Sequence, residues 1–167
     1  MPKFDYKPCI LIVEDDEDIR EFLIKDLIEI SNNIHQAQDG QEALDILEKT
    51  IPDVIISDIR MPNVDGIELL QALRDRGKNI PFVILSAYGD KLVTQTALKL
   101  GAFDFVAKPY QREKLFDVMA NAIALAREQN RTPPSTGDSP AKKIEEFRER
   151  MAHMRSEMRR YKPKGDK

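Results

Sequence analysis

The sequence predicts an α/β domain built on a doubly wound, five-stranded parallel sheet with helices on both faces, and a further C-terminal helix beyond a linker. Two observations predict the sheet and one predicts the appendage. Between Cys9 and about Asn130, five short β-rich runs alternate with five helical patterns, the order that right-handed crossovers between parallel strands require. The runs are near-continuously apolar, as in Ile10-Leu11-Ile12-Val13 and Val54-Ile55-Ile56, which suits strands covered on both sides. The stretch Arg131-Thr-Pro-Pro-Ser-Thr-Gly-Asp-Ser-Pro140 then separates this body from a charged segment with a helical stripe.

Taken in order, Cys9–Val13 is a buried strand, and Ile19, Phe22, Leu23, Leu27 and Ile30 recur after it at helical spacing. Ile34–Gln38 is a weak strand, and Gln41–Lys49 a short helix carrying Ala43, Leu44 and Leu47. Asp53–Ser57 is the third strand, followed by a helix over Gly66–Arg76 bearing Ile67, Leu70 and Leu73. Pro81–Leu85 is a strand, Asp90–Leu100 a helix, Phe103–Ala107 a strand, and Arg112–Gln129 a long closing helix. The body thus occupies residues 1–130, and prolines stiffen a linker over 131–141. In the basic tail, 142–167, Ile144, Phe147, Met151, Met154, Met158 and Tyr161 form a heptad stripe on an otherwise charged, amphipathic helix.

A chain of 167 residues suits one domain plus an appendage, and 41% hydrophobic residues suffice for a core. No apolar run approaches the ~20 residues of a membrane span. The N-terminal Met1-Pro2-Lys3-Phe4-Asp5-Tyr6 has no secretory apolar region. A single cysteine, Cys9, excludes an internal disulfide and a cysteine-based zinc cluster, so a reduced, cytoplasmic protein is the expectation. The net charge of -3 hides an asymmetry, since residues 142–167 hold 10 Lys/Arg against 5 Asp/Glu and residues 1–141 hold 16 against 24. An acidic body argues against a nucleic-acid grip.

In a sheet of this kind, sites form beyond the carboxyl ends of the strands. Those ends carry Glu14, Asp15 and Asp16, then Asp58, Ser86 and Lys108, after four different strands. Carboxylates gathered there repel one another unless a cation or protons intervene, and Mg²⁺ suits a set of carboxylate, water and phosphate oxygens. Lys108 adds a fixed positive charge and Ser86 a hydroxyl donor, so the rim fits an anion of phosphoryl geometry. There is no Walker A loop and no Ser–His–Asp set; His35 falls in the weak second strand and His153 in the tail. A carboxylate can itself be the nucleophile, and Asp58, ionised at neutral pH, needs no general base. Asp16, Glu17 and Asp18 read as helix-start residues, and Cys9 as a small buried one.

The chain carries Ile10-Leu-Ile-Val-Glu-Asp-Asp16, Ala37-Gln-Asp-Gly-Gln-Glu-Ala-Leu44, Asp53-Val-Ile-Ile-Ser-Asp-Ile-Arg-Met-Pro62 with Asp65-Gly66, Ile84-Leu-Ser-Ala87 and Gly101-Ala-Phe-Asp-Phe-Val-Ala-Lys-Pro109. In this order and spacing the set resembles the receiver domain of two-component response regulators. The resemblance covers roughly residues 8–130. It implies a flavodoxin-like sheet of order 2-1-3-4-5. It implies that Asp58 accepts a phosphoryl group from a sensor histidine kinase or histidine phosphotransfer protein. Glu14, Asp15, Asp58 and the main-chain carbonyl of Arg60 would hold Mg²⁺, Ser86 would donate to the phosphoryl group, and Lys108 would pair with it. Lys108–Pro109 would be cis. Phe105 would change rotamer as Ser86 is drawn in, re-shaping the face of the fourth helix, fifth strand and fifth helix toward a downstream protein target. Such a bacterial phosphorelay switch catalyses only its own phosphorylation and dephosphorylation. Ser86 stands where threonine is common, and Arg60 and Tyr88 occupy positions that tune the acyl-phosphate lifetime.

An aspartyl-phosphate phosphatase is the enzymatic alternative, but haloacid-dehalogenase-type enzymes need an acid two residues after the nucleophile, where this chain has Arg60. The other alternative is an inactive receiver-like scaffold that binds partners through its tail. For the tail, docking on its own body or on a partner ranks first, dimerisation second, and membrane or nucleic acid last. A homodimer would form through the tail or through the same helix–strand–helix face. The segment beyond residue 130 is too short for a winged-helix domain, so output through protein contact or phosphate relay is expected.

Overall fold

Strand β1 (Ile10–Val13) lies between β2 (Ile34–Ala37) and β3 (Val54–Asp58), while β4 (Phe82–Ser86) and β5 (Asp104–Ala107) extend the sheet beyond β3. Every pairing is parallel, and the order is 2-1-3-4-5, as the resemblance implies. This computed structural model describes residues 6–87, 89–131 and 149. Tyr88, the linker beyond residue 131, and the tail helix with its stripe and His153 lie outside the described residues.

Between the strands run α1 (Glu17–Leu27), α2 (Gly40–Leu47), α3 (Gly66–Asp75) and α4 (Lys91–Lys99), and α5 (Arg112–Arg131) closes the fold. Because strand side chains alternate, the apolar runs feed two cores. Ile10, Ile12, Val54, Ile56, Val83 and Leu85 pack with Leu23 and Leu27 of α1 and Leu115, Met119 and Ile123 of α5. Leu11, Val13, Ile55, Phe82 and Ile84 pack with Ala43 and Leu47 of α2, Leu69, Leu70 and Leu73 of α3, and Ala97 of α4. Each fully buried Ile or Leu contributes about 1.5–3 kcal/mol by leaving water. The weak second strand is an edge strand, with only Ala37 buried. Phe22 departs from the expected apolar face: it is 60% exposed, with the Lys25 ammonium over its ring.

The first three helices start the same way. Asp16, Asp39 and Asp65 sit at their N-caps in extended backbone, and each carboxylate accepts an N–H of the first turn. Asp65 and Glu68 complete a capping box. The α4 N-cap, Asp90, makes no such bond, and its ψ of 23° keeps it out of the extended geometry. Gly66 opens α3 directly beneath β3: a Cβ there would meet the Asp58 carbonyl oxygen, so the close approach demands glycine.

Candidate functional site

Register brings the chemistry to one line across the sheet. Val13 pairs with Ser57, Asp58 with Leu85, and Ser86 with Ala107. Glu14, Asp58, Ser86 and Lys108 therefore stand at, or one residue past, the ends of four adjacent strands. The Lys108 N–H donates to the Ser86 carbonyl at 2.7 Å, which fixes the β4 and β5 exits together. Lys108–Pro109 is cis.

Glu14 and Asp58 are buried, yet both carry carboxylates. Lys108 Nζ lies 2.8 Å from Glu14 Oε2 and 3.3 Å from Asp58 Oδ2, so one ammonium serves both. Glu14 Oε1 also accepts the Asp16 N–H at 3.2 Å, and Asp58 Oδ1 accepts the Ile59 N–H at 2.8 Å. Burial pushes the Glu14 carboxyl above its usual range, and the nearby Asp58 charge adds to this, against the Lys108 hydrogen bond. Burial likewise raises Asp58, although Lys108 opposes it. Burial would lower Lys108, but its hydrogen bond to Glu14 and the charges of Asp58 and Glu14 outweigh that and leave it above the ordinary lysine value.

Asp15 completes the cluster: ligand atoms of Glu14, Asp15 and Asp58 all lie within 4.8 Å of one another. Three carboxylates against one ammonium leave negative charge unmatched, with Glu14 and Asp58 buried and Asp15 exposed at the rim. The donors are all oxygens, without thiolate or imidazole, the set that a hard divalent cation prefers. The residues therefore fit such an ion.

The other sequence-predicted residues divide. Ser86 is buried at the β4 end, and Phe105 on β5 is 38% exposed. Asp16 caps α1 and so is not a cluster member. Cys9 is buried, with burial raising its thiol pKa, and its N–H donates to Asp53 at 2.7 Å. The Arg60 guanidinium reaches away to Asp90, with Nη2 2.7 Å and Nε 3.2 Å from Oδ1. Sequence reading missed Asp90, which looks like any other helix-start acid, and Arg20, whose Nη1 donates to the Glu14 carbonyl at 2.7 Å.

Residues 10–120 match the response regulator receiver domain model. The transcriptional regulatory protein TdiR of Thauera aromatica is 38% identical over 71% of this chain and 52% of its own length. The response regulator MprA of Mycobacterium sp. (strain KMS) is 38% identical over 79% of this chain and 55% of its own. The chain thus spans about half the length of these curated relatives. Among solved structures, a putative response regulator from Chloroflexus aurantiacus superposes with a TM-score of 0.68 at 31% identity, over 71% of this chain and 99% of that one.

Proposed function

The chain belongs to the response regulator receiver domain family, and from that premise we propose that it is a two-component signalling switch whose Asp58 accepts a phosphoryl group. One observation carries the reading: Glu14, Asp15 and Asp58 converge within 4.8 Å while Lys108 reaches two of them. The donor is a phosphohistidine of a sensor histidine kinase or histidine phosphotransfer protein. An Asp58 carboxylate oxygen attacks phosphorus, the P–N bond breaks, and its electron pair returns to the imidazole, which takes up a proton. Glu14, Asp15, Asp58 and the Arg60 carbonyl would hold Mg²⁺, which when bound would supply charge neutralisation for the phosphoryl group.

This chain's own groups do the rest. The Lys108 ammonium pairs with the developing phosphoryl charge, and the Ser86 hydroxyl donates to a phosphoryl oxygen. Drawing Ser86 inward opens room for the Phe105 ring, and the face bearing exposed Leu92 and Phe105 changes shape toward a protein target or a second copy. Catalysis is limited to Asp58's own modification and its hydrolysis, with no turnover of a separate substrate. Among the described residues no helix is long and apolar enough to cross a membrane, and we place the switch in the cytoplasm. Some relatives are named as transcriptional regulators, and the chain covers only part of their length; for this acidic body we propose protein contact, not nucleic acid.

The test is intact-protein mass after incubation with acetyl phosphate and Mg²⁺. Wild type gains one phosphoryl group; Asp58→Asn, nearly isosteric, stays folded and gains none. A folded wild type that gains none makes the chain an inactive receiver-like scaffold.

A further inference from the structure

Four helices follow a strand and precede another, and three of them spend an aspartate on their own cap. The fourth does not. Asp90 turns its carboxylate backward, where Oδ1 accepts both Nε and Nη2 of Arg60 and Oδ2 accepts the Ala87 N–H at 3.2 Å. Its own N–H donates to the Ala87 carbonyl at 3.2 Å, closing a turn through Gly89, whose φ is +100°. Asp90 is 6% exposed, whereas the Arg60 side chain is 74% exposed.

The clasp joins the two loops that flank the phosphoryl site. Arg60 follows Asp58 by two residues, and Ala87 follows Ser86 directly. Arg60 feels the charge of Asp58 as well as that of Asp90. A pair with one solvated partner is weak, so a stronger anion within reach displaces it. A phosphoryl group offers about two negative charges and three acceptor oxygens, and a guanidinium binds that geometry in two-point fashion.

We infer that Asp90 is a positioning residue: it holds Arg60 and the loop after Ser86 in the unmodified protein, and it is released to cap α4 when a phosphoryl group on Asp58 takes the guanidinium. The inference rests on the proposed acceptor role of Asp58 and adds a route from that site to α4. No bond to phosphorus is made by either residue; the step exchanges one charge-assisted contact for another. Once free, the Asp90 carboxylate can adopt the extended cap geometry of Asp16, Asp39 and Asp65 and accept the first-turn N–H groups of Leu92 or Val93.

Native-state hydrogen exchange at the Leu92 and Val93 amides tests this, alongside intact mass. Phosphorylating wild type with acetyl phosphate and Mg²⁺ slows both amides roughly five-fold, the increment of one cap. Unmodified Arg60→Met shows the same slowing without phosphate, because its Asp90 is already released. Asp90→Ala, and the Arg60→Met/Asp90→Ala pair, lack the slowing even when mass shows the phosphoryl group bound. Arg60→Met exchanging like wild type overturns the inference, as does phosphorylated Asp90→Ala slowing like wild type. A wild type that gains no phosphoryl mass overturns the acceptor role instead, and the unmodified Arg60→Met comparison still reads the clasp on its own.

Discussion

Asp58 sits in a place that costs the fold something. Burial raises its carboxyl and that of Glu14, so the native state holds their protons more tightly than the unfolded chain does. For groups raised in this way the stabilising contribution is complete below the unfolded pKa and is lost as pH rises through the folded one. At neutral pH both carboxylates are therefore held against their preference, offset in part by Lys108 and by the Asp16 and Ile59 N–H groups. Removing one charge relieves this. Asp58→Asn should raise unfolding stability by about 1–2 kcal/mol in Mg²⁺-free buffer, a common outcome when a strained functional group is neutralised. Urea titration followed by circular dichroism reads it. Adding Mg²⁺ should stabilise wild type and narrow the gap, since an ion that binds only the native state shifts the equilibrium toward it. A variant less stable than wild type in both buffers would mean that the Lys108 contact outweighs the repulsion.

Helix starts are where element and site meet. Asp39 caps α2 through the Glu42 N–H at 2.8 Å and also accepts Asn63 Nδ2 at 2.7 Å, tying α2 to the loop before α3. The Glu42 N–H first, then Asn63, hold its carboxyl below the usual range. A depressed carboxylate stabilises above its unfolded pKa, roughly 4, and the benefit is lost as pH falls through the folded value. Asp39→Ala should cost about 1–2 kcal/mol at pH 7, and the difference from wild type should shrink in acid below that window, as denaturant titrations at both pH values would show. The caps also mark how far sequence reading reached. The strand and helix alternation, the two-sided core and the acids at two strand ends were legible because each rests on local pattern. Asp90 was not, because the letters that cap α1, α2 and α3 are the same letters that clasp Arg60, and only tertiary proximity decides between them. Phe22 failed for a related reason: helical spacing defines a stripe, while the neighbouring strands set how wide a stripe is covered.

The molecule as a whole separates its functions by pole. Charged chemistry collects where the strands end; where they begin, a half-buried cation holds the architecture. Arg74, at the close of α3, donates to the carbonyls of Lys78 at 2.7 Å, Ile80 at 3.1 Å and Gly101 at 2.8 Å, gathering the segments that lead into β4 and β5. Burial pulls its guanidinium down to about 10. Sequence reading did not single out Arg74, since nothing local announces three carbonyls from two later loops. Arg74→Met keeps much of the apolar stem but strands those acceptors, and should lower unfolding stability by about 2–3 kcal/mol. Phosphoryl uptake from acetyl phosphate at saturation should nevertheless match wild type, because Asp58, Lys108 and the acidic cluster lie at the far ends of the same strands. Loss of uptake in a folded Arg74→Met protein would show instead that the loops before β4 and β5 set the register of Ser86 and Lys108 at the other end, and that the two poles are mechanically one.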